Sequence, residues 1–443
     1  MSSASRSGMS TALSTRSPAS IHSNRTKLFN DLFCNYDGAA FSIRTADGWC
    51  WYSSQNDTPA CTLEFKTPKA LHTLLKNPTE LTLGEAFIQG DLGVEGDIFS
   101  IFPVVDYIFK RPVSFRYRIV RTIARSSSKL EHWLHKGQPH SKARDRSSIS
   151  YHYDQPVDFY QPWLGPTLAY SCAYFREPTD CLDQAQYNKL ELICRKLKLN
   201  PGERFLDIGC GWGSLVLHAA SEHGAEAYGI TLSRQQAVIA AQRISQSKLG
   251  QHCAVELRDY RNGPDLPMRF DKLASVGMFE HVGRKNLSNY FSCVAQLLKP
   301  DGMFLNHGIS RSAGSMPKRD SFIDRYVFPD GELVTLSHTL EVAESAGFEV
   351  RDVDNLREHY ERTLRLWVEN LQKNSQIVLR HVSEQTYRIW LLYMAGSAAA
   401  FRRGNLELYQ VLFSRSRRPS KEHLTTREDW YKNWQSQSPG LHA

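Results

Sequence analysis

The residues with the clearest chemical content lie where a short apolar stretch, Arg204-Phe205-Leu206-Asp207, runs into Ile208-Gly209-Cys210-Gly211-Trp212-Gly213. Three glycines at alternate positions let a backbone turn sharply and approach a ligand that a Cβ would block. Asp207, two residues before the first of them, either fixes that loop or faces a cationic ligand group. Other reactive types follow in order: Thr231-Leu232-Ser233 with Gln236, then Arg258-Asp259-Tyr260, then Gly277-Met278-Phe279-Glu280-His281, then Asn306-His307-Gly308-Ile309. Glu and His are side chains that move protons near neutral pH when their surroundings tune them. Tyr170-Ser171-Cys172 adds a thiol beside aromatics, and His359-Tyr360 a phenol. Taken singly, each has a plainer reading. Cys172 fits a small buried hydrophobe, His307 a structural histidine, and Glu280 an acid at the positive end of a following helix. Tyr360 and Trp367, seven apart on a helix, fit core packing.

Such residues need a scaffold that gathers strand ends. From about residue 151 strands and helices alternate, the signature of a parallel α/β sheet. After the 204–207 strand and its glycine loop comes a helix over 214–222, then strands at 227–230, 253–257 and 270–276. Lys299-Pro300-Asp301-Gly302 is expected to turn into a fifth strand at 303–306. Ligands of open α/β sheets sit at the carboxyl ends of the strands, the edge that holds Asp207, Gly209, Gly211, Thr231, Gln236, Asp259 and Tyr260. The glycine pattern is not the G-x-G-x-x-G of dinucleotide enzymes, and no acidic residue closes the second strand to hold a ribose.

Five segments are expected: a flexible tail over 1–25, a small α/β domain over 26–108, a basic helical connector and linker over 109–150, the α/β domain over 151–420, and a C-terminal tail over 421–443. In the small domain, Phe41-Ser42-Ile43-Arg44 and Cys61-Thr62-Leu63-Glu64-Phe65 alternate apolar and polar as half-buried strands do. Asp47-Gly48 supplies a turn between them, and Thr82 begins a further unit closed by Gly90. In the connector, Arg116, Arg118, Arg121 and Arg125 belong to a basic run that only Glu131 and Asp145 oppose. It reads as attraction to anionic phospholipid or as a solvated face.

The chain of 443 residues is 41% hydrophobic and 23% charged, with a net charge of +8, so globular domains and an anionic partner are favoured over disorder. No apolar run approaches 18 residues, which excludes a membrane-spanning helix. Nine cysteines, never spaced C-x-x-C, indicate neither a disulfide framework nor a zinc site, and a reducing cytoplasm is the natural setting. His281 and His307 lack partners at metal-ligand spacing, so no metal is expected, and no G-x-S-x-G elbow supports a hydrolase. No nucleic-acid module accompanies the positive charge.

The Asp-x-Gly-x-Gly-x-Gly pattern resembles the first motif of class I S-adenosylmethionine-dependent methyltransferases. Together with Tyr151-His152-Tyr153-Asp154, the Tyr170 and Gly277 segments, Asn306 to Ile309, Tyr326-Val327-Phe328, His359-Tyr360-x-x-Thr363-Leu364-x-x-Trp367 and Phe401-Arg402, it resembles the cyclopropane-fatty-acid synthase family. That resemblance spans about 151–414. Phe65-Lys66-Thr67-Pro68 and Leu83-Gly84-Glu85-Ala86 look like the small sterol-carrier-like N-terminal domain of longer bacterial members. The resemblance implies a Rossmann-like class I methyltransferase sheet with a helical cap, beside a small N-terminal α/β domain.

It further implies methylene transfer from S-adenosylmethionine to the cis double bond of unsaturated phospholipid acyl chains. An alkene needs no prior deprotonation; the carbocation it forms needs aromatic shielding and then a base. By the same resemblance, Tyr170, Ser171, Asp207, Gly209, Gly211, Gly213, Thr231, Leu232, Ser233, Gln236, Asp259 and Tyr260 contact S-adenosylmethionine. Cys172, Glu280, His307, Ile309 and Tyr360 hold a bicarbonate ion as the base, Cys172 and Ile309 mainly through their backbone. The setting implied is cytoplasmic and peripheral to a membrane surface, and a homodimer is allowed for. The sequence departs from the family's pattern at Gln155-Pro156-Val157, which is expected to reshape the loop over the cofactor, and at Ser397, where many members carry a cysteine. Other fates of the same cation, a methylene- or methyl-branched chain, share these residues. A small-molecule N-methyltransferase and an inactive lipid-binding protein are the remaining alternatives.

Overall fold

The computed structural model describes residues 18–76, 78–110, 155–315, 321–328, 331–415, 426–432 and 434. Tyr151-His152-Tyr153-Asp154 and the connector beyond Lys110 lie outside them. The chain divides into two compact units, Met1–Pro112 and Val113–Ala443.

The first unit runs α1 (Pro18–Leu32), β1 (Phe41–Thr45), β2 (Cys50–Tyr52), β3 (Cys61–Phe65), α2 (Pro68–Lys76), α3 (Glu80–Ile88), β4 (Leu92–Gly96) and α4 (Ile101–Lys110). Its sheet has the order β2-β1-β3-β4, with β1 and β3 parallel and the outer pairs antiparallel. β3 alternates buried and half-buried residues along its length, as its sequence predicts. The stretch from Thr82 to Gly90 is the body of α3, opened by a Thr79–Thr82 capping box and stopped at Gly90 with φ +81°.

Residues 18–25 are helical, not a tail. α1 is polar on most of its surface and has no acidic residue in its first turn, so its sequence carries little helix signal. A few aromatic anchors hold it instead. Phe29 is fully buried against Phe33, Trp49 and Trp51. Trp51 Nε1 donates to Asn30 Oδ1 at 2.8 Å, and Arg25 pairs with Asp47 at 2.6 Å.

The second unit runs α5 (Val157–Leu164), α6 (Leu182–Leu197), β5 (Arg204–Ile208), α7 (Ser214–His223), β6 (Glu226–Thr231), α8 (Arg234–Gln246), β7 (Cys253–Leu257), β8 (Phe270–Val276), α9 (Leu287–Leu297) and β9 (Leu298–Arg311). It ends with α10 (Leu336–Ser345), β10 (Glu349–Asn355), α11 (Arg357–Lys373), α12 (Glu384–Arg402) and β11 (Leu406–Ser414). The seven strands are ordered β10-β11-β9-β8-β5-β6-β7, and β11 alone runs antiparallel to both of its neighbours. Strand alternation splits the core in two: Phe304 and Phe413 face Phe291 and Phe348 on one side, while Leu305 and Leu412 face Ile193, Val216 and Ala219 on the other. The chain moves outward from β5 to β6 and β7, then returns to β5's other side with β8. A cleft opens at that switch.

Two expectations are corrected here. Lys299-Pro300-Asp301-Gly302 does not precede the fifth strand but lies within β9, as an irregularity where Asp301 takes φ +65° and pairing jumps from Phe270↔Leu298 to Lys272↔Met303. The stretch read as a C-terminal tail is partly docked. A short helix, Glu428–Tyr431, buries Trp430, and Trp434 is buried beneath Arg176, whose guanidinium sits 4.4 Å from its ring centre. Arg427 pairs with Asp352 at 2.6 Å. Two tryptophans among polar residues supply enough apolar area to hold this segment. Among the described residues no helix is long and apolar enough to cross a membrane.

Phe29→Ala tests whether α1 belongs to the first unit's core. It is expected to destabilise that unit by about 3–5 kcal/mol, the usual cost of a truncated buried aromatic. A denaturation midpoint unchanged from wild type would remove α1 from the core.

Candidate active site

The cleft at the end of β5 encloses about 1080 Å³, including the space at its mouth. Its floor is the loop from Gly209 to Gly213. Gly209 has φ +83°, and a Cβ there would fall 2.8 Å from that of Met278, so only glycine fits. The N–H groups of Gly209 and Cys210 both donate to Ile230 O, at 2.9 and 3.0 Å, which locks the loop to β6.

Nine of the residues expected to contact the cofactor line this cleft: Tyr170, Ser171, Asp207, Gly209, Gly211, Thr231, Leu232, Gln236 and Tyr260. Gly213, Ser233 and Asp259 shape it from behind. Gly213 caps α7 with φ +81°. Ser233 caps α8 by accepting from Gln236 N at 3.3 Å, and the Thr231 hydroxyl donates to Gln236 Oε1 at 2.9 Å, which leaves the Gln236 amide NH2 to offer a ligand. Asp259 is committed to Arg261, accepting from its backbone N–H and from its guanidinium at 2.6 Å.

Lys189, Arg258, Arg261 and His281 also line the cleft; Arg258 and His281 lie in segments the sequence singled out but, like the other two, were not among the expected cofactor contacts. A signal for Lys189 existed. Leu182, Gln186, Lys189, Ile193 and Lys196 recur at the spacing of the buried face of α6, where a lysine needs a reason. Lys189 Nζ donates to Ser171 Oγ at 2.9 Å, and Gln186 Nε2 donates to the carbonyls of Ala169 and Ser171. α6 thereby fixes the wall opposite the glycine loop.

Asp207 is the one carboxylate among the described lining residues, and its Oδ1 is buried with no hydrogen-bond partner. Burial pushes its pKa up to about 7 against the pull of Lys189. Burial likewise pushes Lys189 down to about 8, against the pull of Cys172 and Asp207. An unpartnered buried carboxylate oxygen is costly, and a cationic ligand group would satisfy it.

Beside the cleft, Glu280 Oε1 accepts from Ile309 N at 2.7 Å while Oε2 is buried without a partner. Burial raises the Glu280 pKa to about 7 despite that hydrogen bond. His307, two residues before Ile309 on the same face of β9, is buried and held well below its ordinary pKa by desolvation. Gln410 Nε2, across the strand pair, donates to His307 Nδ1 at 3.1 Å. The imidazole proton therefore sits on Nε2, a buried donor with no partner.

Cys172 is fully buried, with Sγ 3.2 Å from Ala173 O, and burial drives its thiol pKa far up. It offers no nucleophile. Ala173 N donates to Thr363 Oγ1 at 3.0 Å, which stitches this segment to α11 one turn from Tyr360. Tyr360 packs on Phe401 of α12, ring centres 4.9 Å apart. Lys189 joins the two groups electrostatically, since its charge bears on both Cys172 and His307.

Behind Tyr170 and Trp212, which line the cleft, a continuous aromatic cluster is packed. Trp163 and Tyr170 pack on Trp367 at 5.7 and 5.2 Å, Tyr160 on Trp212 at 4.9 Å, and Trp390 bridges them to Tyr393. Pro156 is the N-cap of α5, a place where a missing N–H costs nothing. Ser397 is buried on α12, one helical turn from Tyr393.

Comparison with known proteins bears on this geometry. Residues 140–411 match the family model described as mycolic acid cyclopropane synthetase, and residues 28–117 match a domain of unknown function, DUF7884. A "Probable fatty acid methyltransferase" of Pseudomonas putida is 41% identical over 398 residues, 86% of this chain and 95% of its own length. The cyclopropane-fatty-acyl-phospholipid synthase of Escherichia coli strain K12 is 39% identical over 264 residues, 60% of this chain and 66% of that one. The crystal structure of the mycolic acid cyclopropane synthase CmaA1 with S-adenosylhomocysteine superposes with a TM-score of 0.57 at 32% identity, covering 61% of this chain and 98% of the other.

S-adenosylmethionine fits the residues present. Its ammonium and sulfonium are the cations that Asp207 lacks, and its carboxylate suits Lys189. If Asp207 must be ionised to receive a cation, affinity for S-adenosylmethionine falls about tenfold for each pH unit below about 7 and is level just above it. Titration calorimetry across that range should show this slope, and Asp207→Asn should bind more weakly and without it. A slope that survives in the variant would assign the proton to another group.

Proposed function

Because the chain belongs to the mycolic acid cyclopropane synthetase family and is an S-adenosylmethionine-dependent methyltransferase, we propose that it forms cyclopropane rings on cis-monounsaturated acyl chains of phospholipids. The observation that carries this reading is the pair of buried polar atoms without partners, Glu280 Oε2 and His307 Nε2, next to an aromatic wall. A reaction that creates a carbocation and then deprotonates it has use for both features.

Bound S-adenosylmethionine supplies an electrophilic methyl group, and a bicarbonate ion in the Glu280 pocket supplies the base. The alkene's π electrons form the new carbon–carbon bond as the carbon–sulfur bond breaks, leaving a cation on the acyl chain. Tyr170 and Trp212, aromatics that line the cleft, would stabilise that charge and exclude water, backed by the rings packed behind them. Ring closure uses the electron pair of a C–H bond of the new methyl, whose proton leaves, so the net gain is CH2. Glu280, anchored by Ile309 N–H through Oε1, would hold such an ion through Oε2, and the ion would supply the proton acceptor. His307 Nε2–H and the Tyr360 phenol orient its remaining oxygens, with Cys172 contributing backbone. None of these steps needs a thiol, so Ser397 in place of the family cysteine is neutral.

The near full-length likeness to a fatty acid methyltransferase favours a second reading, in which the same cation loses a different proton and yields a methylene- or methyl-branched chain. Product analysis separates the two. Purified protein is incubated with S-adenosylmethionine and vesicles of cis-monounsaturated phospholipid, and acyl chains are examined by mass spectrometry and proton NMR. A one-carbon gain with upfield cyclopropyl protons supports the first reading; vinylidene or new methyl signals support the second. No gain on any lipid rejects both.

The base pocket makes its own demand. Glu280→Gln should keep cofactor affinity and lose about 100-fold or more in turnover, the scale of a misplaced proton acceptor. Wild-type turnover would remove the pocket from the mechanism. Ser397→Ala should stay within about tenfold of wild type, because no covalent intermediate is formed on it. Neutralising Arg116, Arg118 and Arg121 together should weaken binding to anionic vesicles at low salt, and unchanged binding would make the basic stretch a solvated face.

A further inference from the structure

Behind the cofactor cleft, α6 and α7 present four metal-ligating side chains to one another. Glu191 and Cys194 lie three residues apart on one face of α6, and His218 and His223 are the fifth and last residues of α7. Glu191 Oε2 is 3.1 Å from His218 Nε2 and 3.0 Å from His223 Nε2. The ligand atoms of Cys194, His218 and His223 all lie within 4.8 Å of one another. A tetrahedral zinc, with ligand bonds of about 2.0–2.3 Å, holds its donor atoms roughly 3.3–3.6 Å apart. The Glu–His spacings, which are hydrogen bonds, are close to this already; Glu191 stands outside the set of three and would have to close on the Cys194 sulfur as the cation binds.

We propose that Glu191, Cys194, His218 and His223 form a closed four-coordinate site for a soft divalent cation of the zinc class. Three further observations support it. Cys194 and His218 are buried and His223 is half-buried, so the site is shielded from competing water. Arg195 donates to Glu191 Oε1, the oxygen not facing the histidines, as an outer-shell partner of a ligating carboxylate does. The charges balance, with one thiolate and one carboxylate against a divalent cation. The ligands come from two helices without contiguous motif spacing, so a C-x-x-C or H-E-x-x-H search passes over them.

The role is structural. All four positions are filled by protein, whereas a catalytic metal keeps one open. The same two helices carry Lys189 and Ile193 on α6 and Ser214 and Leu215 on α7 to the cofactor cleft. A metal stapling α6 to α7 would hold that wall against the helix that leaves the glycine loop.

The full-length, untagged chain tests this with zinc and cobalt alone. About one zinc per chain should remain after dialysis against metal-free buffer. Exchange for Co(II) should produce intense visible bands of a tetrahedral site with a near-ultraviolet sulfur-to-cobalt charge-transfer band. Cys194→Ala should abolish that band while a visible spectrum persists, and His223→Gln should weaken cobalt binding by at least about tenfold. Chelation should lower the thermal midpoint of wild type, and added zinc should restore it. Should Cys194→Ala fail to fold, the His223→Gln titration decides alone, since His223 ends its helix and is only half-buried. Failure to retain zinc together with only a weak, octahedral Co(II) spectrum would overturn the proposal, as would a charge-transfer band unchanged in Cys194→Ala.

Discussion

A carboxylate buried in the centre of a sheet is expensive unless something positive meets it, and Asp207 holds one oxygen in that condition. Much of the second unit follows from placing that group. β5 lies inside the seven-stranded sheet, between β8 and β6, at the point where the chain reverses direction across the sheet, so the Asp207 carboxylate opens onto the crevice at that switch. The next residue but one must turn at once, which Gly209 does with φ +83°. β6 must come close enough for Ile230 O to receive two N–H groups, and Gly229 leaves the room for it: a Cβ there would fall 2.8 Å from Cys210 Sγ. Lys189 offsets part of the charge from α6, yet its own hydrogen bond goes to Ser171, so the balance is completed only by a ligand.

The Asp207 pattern was also the most legible part of the molecule. A glycine loop, its acid and four successive strand ends are local in sequence, and each strand of the sheet's parallel half appears within a residue or two of its expected place, apart from β9. What escaped was assembled across distance. Lys189 sits mid-helix with no motif around it, and only its place on the apolar face of α6 betrays it. α1 and the Trp430–Trp434 segment resemble tails because most of their residues are polar. A few aromatic anchors, placed by contacts with Trp49 and Trp51 in one case and with Arg176 and Lys196 in the other, outweigh that polarity. Local propensity cannot report such contacts. The Lys299–Gly302 stretch misled in the opposite sense, because turn residues inside a strand make an irregularity when both flanks are already paired.

On the proposed reading, two demands that usually conflict meet beside the cleft. Shielding a carbocation calls for a dry aromatic surface, while taking a proton calls for polar groups that dry surroundings penalise. The structure separates them by element. Aromatics come from α5, the Tyr170 segment, α11 and α12, which pack ring on ring. The polar pair comes from β9 and the loop after β8, where backbone and strand partners position it: Ile309 N–H holds Glu280, and Gln410 holds His307. Each polar side chain is thus fixed by one bond and keeps one atom facing inward.

On the proposed reading, that division also leaves no role for the family cysteine, and Cys172 is no substitute for it. A thiol in either place would lie in surroundings that favour its neutral form. For Cys172 burial keeps the proton on sulfur, and its contacts are to the carbonyls of Ala173 and Leu356. A neutral thiol neither attacks nor accepts a proton, but it fills space without adding charge next to Lys189 and His307. On the proposed reading, what Cys172 contributes is the backbone it brings to the site.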